Sequence, residues 1–110
     1  MEMKQPPGPI FSSYAADPEF DDRIDAFVVR MGERVDLLQD TEIDGDLALL
    51  RDLSERFGAE SRELGYEPLA QAADRVVAAC LEQSPEAARK SLAELTEVSQ
   101  RVRRGHSSSA

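Results

Sequence analysis

The chain has 110 residues, 41% apolar and 32% charged, which fits one folded domain with a modest core rather than a disordered chain. Its 22 acidic residues against 13 basic ones leave a net charge of −9, a balance that repels phosphate backbones and anionic lipid and argues against nucleic-acid or membrane-surface binding. No run approaches the roughly 18 apolar residues of a membrane span, the opening MEMKQPPGP lacks a signal peptide's apolar segment, and the single Cys80 excludes an internal disulfide, so the expected setting is the reducing cytoplasm.

Pro6, Pro7 and Pro9 around Gly8 predict an extended arm over residues 1–16. Within it Ile10, Phe11 and Tyr14 are apolar enough to fold back on the helical bundle. Asp17-Pro18-Glu19 is a helix start, combining a capping carboxylate, a proline suited to the first turn and an acid at the positive helix end. From Pro18 to Thr41 the residues Phe20, Ile24, Phe27, Val28, Met31, Val35 and Leu38 recur at three- and four-residue steps, the pattern of an amphipathic helix. Gly32 is the expected break or bend in it, giving either one helix or two abutting ones.

Asp44-Gly45-Asp46 reads as a turn, with Asp46 capping a second helix that Gly65 ends. On a helical wheel Leu47, Leu53, Phe57 and Leu64 fall beside Leu50, and the opposite face carries Ala48, Arg51, Asp52, Glu55, Ala59 and Arg62. A third helix starts near Glu67-Pro68 and carries Leu69, Ala72, Ala73, Val76, Val77, Cys80 and Leu81, with small residues at 70, 72, 73, 78 and 79 that permit close approach to a neighbour. Ser84-Pro85-Glu86 opens a fourth helix striped by Ala88, Leu92, Leu95, Val98 and Val102. Gly105 is expected to stop it, leaving residues 106–110 as a flexible tail and 17–105 as the folded unit. Short turns between long helices imply antiparallel neighbours, hence an all-α, up-down four-helix bundle with an N-terminal arm or short extra helix.

The stretch GDLALLRDLSERFGAESRELGY, Gly45 to Tyr66, resembles the central helix of histidine-containing phosphotransfer (HPt) domains. Gly45, Asp46, Leu50, Leu53, Gly65 and Tyr66 match that family's pattern without a gap, and Phe57 stands where it has Leu. The helix order and turn placement agree over roughly Ile10 to Arg103. In this register Glu55 occupies the position of the phosphorylated His, Gly58 that of the Lys and Ala59 that of the Gly. A one-residue shift, aligning Gly58 with the family's Gly, would instead put Ser54 at the His position, but it needs an insertion before Gly65.

The resemblance implies a bundle that presents this helix to the receiver domain of a response regulator or hybrid histidine kinase. It does not imply activity. Transfer needs an imidazole nitrogen, whereas a carboxylate at Glu55 is negative at neutral pH and repels a phosphoryl group. Gly58 removes the helpful Lys, although Arg51 and Arg62 could restore some positive charge, and Ala59 is small enough to keep the surface open. The expected partner-binding residues are therefore Ala48, Arg51, Asp52, Glu55, Gly58, Ala59 and Arg62, with no catalytic group, no cofactor and no metal. The bland reading of Glu55 is a solvated residue paired with Arg51.

The other expectations are fewer. His106, the single histidine, falls in the tail as an alternative acceptor, and Cys80 lies on an apolar stripe as a buried small hydrophobe. One Cys and one His do not make a zinc site, and the acidic turns lack the ligand alternation of a calcium loop. The leading functional expectation is a non-enzymatic docking module of two-component phosphorelay signalling, a monomer or weak dimer. The alternatives are an active phosphotransfer protein with a non-standard acceptor, and a structural, self-associating bundle.

Overall fold

A computed structural model describes residues 8–108, with side chains as far as His106. The remainder of the expected arm and the end of the expected tail lie outside the described residues. A single turn of 3₁₀ helix at Pro18–Phe20 leads into α1 (Asp21–Ile43), α2 (Leu47–Glu63), α3 (Glu67–Leu81) and α4 (Pro85–Ser108). Each helix packs against its neighbours in the chain, and α1 also packs against α4, closing the ring of a four-helix bundle. There is no strand among the described residues.

Asp17 caps as expected, its carboxylate accepting from the Glu19 amide at 3.0 Å, but it caps the 3₁₀ turn rather than α1 itself. The Tyr14 ring stacks on Phe20 at 4.3 Å over this corner. α1 then runs unbroken through Gly32. The roughly 1 kcal/mol that a helical glycine costs is outweighed by anchoring on both sides, where Val28, Met31 and Val35 are buried.

The three turns between helices share one hydrogen-bond pattern, the Schellman motif. Asp46, Tyr66 and Ser84 donate their amides to the carbonyls of Thr41, Ser61 and Ala79, five residues back. The residue before each of them has a left-handed backbone: Gly45 at φ 78°, Gly65 at 84° and Gln83 at 56°. In two of the turns the closing residue also caps the next helix, Asp46 accepting from the Leu49 amide and Ser84 from the Ala87 amide. This leaves no slack between helices, which forces sequential neighbours to run antiparallel.

The core holds Phe27, Met31, Leu38, Leu50, Phe57, Leu64, Leu69, Val76, Leu92, Leu95 and Val102. Phe27 stacks between Phe57 at 5.7 Å and Tyr66 at 6.0 Å. α2 and α3 are the most closely packed pair, because small residues line both: Ser54, Gly58 and Ser61 on α2, and Ala70, Ala72 and Ala73 on α3 are all buried. A Cβ on Gly58 would stand 3.0 Å from the Ala73 methyl.

Burial pushes the Tyr66 phenol above the ordinary tyrosine value. The unfolded chain loses this proton near pH 10 while the folded chain still holds it, so stability falls as pH rises past that point. Melting temperatures between about pH 9 and 11 should therefore drop more steeply in the natural protein than in Tyr66→Phe.

The N-terminal segment is docked from Gly8 onward, so the folded unit begins well before residue 17. Ile10 is buried and its amide donates to the Arg101 carbonyl at 3.0 Å. Ser12 is buried with its hydroxyl on the Leu64 carbonyl, and the Ser13 amide reaches the Gly65 carbonyl at 2.9 Å. Gly105 does not stop α4, which continues to Ser108. Its missing side chain serves packing instead: a Cβ there would lie 2.4 Å from the Ile10 carbonyl oxygen. His106 accordingly sits on α4, with Nε2 3.0 Å from Asp25 Oδ1 on α1, rather than in a flexible tail.

Candidate docking surface

α2 is capped by Asp46 and closed by Gly65, and the burial of Leu50, Phe57 and Leu64 sets its rotation. That rotation exposes Ala48, Arg51, Asp52, Glu55, Ala59 and Arg62 together along one outer face. Gly58 is the exception among the expected partner-binding residues: it is buried against α3. Ser54 and Ser61 are buried within the arc of the large apolar residues, and Gly58 widens the core stripe of α2 towards α3. Leu47 and Leu53, expected on the stripe, are only half-buried at its edges.

The charges on this face are matched within the protein. Arg51 Nε lies 3.2 Å from a Glu55 oxygen one turn on, and Arg56 reaches Asp52 at 3.0 Å. Arg62 bridges from α2 to α3, 3.1 Å from Glu67 and 2.9 Å from Asp74. The hydrogen bonds to Glu67 and then to Asp74, with their negative charge, raise the Arg62 pKa further above an already high value. Both arginines expected to supply positive charge near Glu55 are thus engaged by carboxylates. Glu67 and Asp74 belong to the same patch and were not legible from α2 alone, since they arrive on the neighbouring helix.

Beside Ala48 and Arg51 the start of α2 and the end of α3 enclose a hollow of about 420 Å³, which Leu81 also lines. Leu81, expected on the apolar stripe of α3, is 60% exposed, so the outer face ends in an apolar spot.

Among the described residues no nucleophile stands on this face. Ser54, the acceptor position in the shifted register, is fully buried, and its hydroxyl has no hydrogen-bond partner. Cys80 is buried, which raises its thiol pKa, the charge of Arg51 opposing the shift. His106 lies on the last turns of α4 against the first turns of α1. Among the described residues no cluster of His, Cys, Asp and Glu could hold a metal ion, and no helix is long and apolar enough to cross a membrane.

The orphaned Ser54 hydroxyl makes a separate prediction. A buried polar group without a partner costs about 1–3 kcal/mol, and Ala is the better helix former. Ser54→Ala should raise the unfolding free energy by about 1 kcal/mol, read as a higher urea midpoint at unchanged slope.

The chain matches no family model, no curated protein and no solved structure.

Proposed function

We propose that the protein is a non-catalytic, HPt-like interaction module of two-component phosphorelay signalling. In this reading it docks a receiver domain on the outer face of α2 without accepting phosphate, and it works in the cytoplasm. The observation that carries the reading is the placement of Glu55. It stands exposed at mid-helix, at the acceptor position of the resembling motif, with small Ala59 one turn on leaving room for an approaching surface. The pairing of Arg51 with Glu55, and of Arg62 with Glu67 and Asp74, supports docking over phosphate capture, because a phosphoryl group would have to compete with carboxylates for both arginines. A receiver would meet a surface of alternating charge with an apolar spot at Leu81.

The test is a gain of function. Receiver domains of the source organism, phosphorylated with a radioactive label, are mixed with the natural protein and with Glu55→His. Gly58 is left alone, because a larger residue there would press on Ala73 of α3. The expected result is no label on the natural protein and acid-labile label on Glu55→His. Label on the natural protein, or none on either in the presence of measured binding, counts against the proposed position of the acceptor.

A further inference from the structure

α1 and α2 are the least closely packed of the four neighbouring helix pairs, and a groove of about 800 Å³ runs between them. Its walls carry Arg23, Arg30 and Arg34 from α1 and Arg56 from α2, against Glu60 and Glu63. Four positive groups to two negative is a local inversion in a chain of net charge −9. The arginines of α1 recur at seven and four residues, which places them on one side of the helix.

Internal carboxylates engage three of these four arginines, one of them from Asp52 outside the groove wall. Arg23 pairs with Glu63, Arg34 with Glu60 at 2.7 Å, and Arg56 with Asp52 on its own helix. Arg30 is exposed and has no carboxylate partner among the described residues. The Arg34 guanidinium is held at mid-groove over the Phe57 ring at 4.9 Å and the Phe27 ring at 5.7 Å.

Past Arg34 and Arg56 the groove continues into a smaller hollow of about 180 Å³ walled by Leu37 and Leu53. Leu37 is 50% exposed. The surface is therefore basic along most of its length and apolar at one end.

We propose that this groove is a docking site for an acidic, amphipathic segment of a partner protein. Carboxylates of that segment pair with Arg30 and compete with Asp52 for the exposed Arg56, and one of its apolar side chains fills the hollow at Leu37 and Leu53. Charge complementarity selects an acidic occupant. The apolar end gives affinity that a simple inorganic anion could not use. A long polyanion such as a nucleic acid would run out of the groove onto acidic surface, where it is repelled. The inference concerns a different surface from receiver docking: of the residues named for the outer face of α2, Ala59 alone also lines the groove, and Asp52 touches it through its pair with Arg56.

The probe is a fluorescein-labelled helical peptide of about four turns with Glu along one face and Leu along the other, titrated into the full chain. Anisotropy should show saturable binding that weakens with salt, and NMR should place the largest methyl shifts at Leu37 and Leu53. Arg30→Glu should weaken binding by about tenfold or more while the melting temperature stays unchanged. Equal binding by Arg30→Glu, or shifts confined to other surfaces, would overturn the proposal. So would equal binding of polyglutamate, which would mark a plain anion site. Sedimentation of the protein alone provides the last arm: self-association dispersed by Arg30→Glu would make a second copy of this chain the occupant and overturn the partner segment.

Discussion

Phe57→Ala should lower the unfolding free energy by about 3–5 kcal/mol, the cost of truncating a fully buried aromatic whose site cannot collapse. Phe57 is 1% exposed, its ring packs on Phe27, and the Arg34 guanidinium rests over it. The truncation therefore removes core volume and a cation–π contact together, and leaves a cavity between α1 and α2. Such a loss is a large share of the roughly 5–15 kcal/mol of a typical domain. Glu55→Ala, two residues away, should change stability by only a few tenths of a kcal/mol, about the worth of an exposed pair one turn apart. Urea denaturation of both variants measures the contrast. Comparable losses would mean that α2 is rotated from the orientation described.

Gly65→Ala should be nearly as damaging, for two separable reasons. Gly65 has φ 84°, a conformation that costs a residue with a Cβ about 1–2 kcal/mol. A Cβ there would also stand 2.6 Å from Ser13 Oγ, 2.7 Å from Ser12 Oγ and 2.8 Å from the Tyr14 ring, and overpacking of this kind costs about 1–3 kcal/mol more. The N-terminal segment should yield first, since it crosses the α2–α3 turn at this point. Amide exchange should therefore speed up at Ser13 and Ile10 in the variant before it does in the core of α2. Gly45→Ala supplies the control: it shares the left-handed backbone at φ 78° but has open space around it, so it should show the backbone cost alone.

The elements that read directly from the sequence are those specified by local chemistry. Asp46 and Ser84 cap because a short oxygen-bearing side chain precedes a helical pattern, and Gly65 closes α2 because it alone tolerates the turn. The apolar spacing from Ile24 to Leu38 likewise dictates the buried side of α1. The features that sequence did not reveal depend on neighbours in space. Gly105 looked like a helix stop, but its lack of a side chain admits the Ile10 backbone. Gly32 left one helix or two abutting ones open, and burial on both sides holds a single helix through it. Gln83 carries a left-handed turn with no glycine to announce it.

The docking face shows the same division. Glu55, Ala59 and their row follow from helical periodicity once Phe57 is placed in the core. The wheel turns Ser54 towards the apolar stripe, but Gly58 falls beyond the large apolar residues and has no side chain to mark it, so its cover by α3 was not legible. The engagement of Arg62 by Asp74 is likewise a contact between helices.

The central claim is that the outer face of α2 docks a receiver domain without taking its phosphate. It is tested most directly by titrating isotopically labelled protein with purified receiver domains and following its amide signals. The account predicts shifts concentrated at Ala48, Arg51, Asp52, Glu55, Ala59 and Arg62 with at least one receiver, their loss in Glu55→Arg, and no phosphate on the protein when the receiver is phosphorylated beforehand. Amides of that face left unmoved by every receiver, or phosphate recovered on His106, would contradict it.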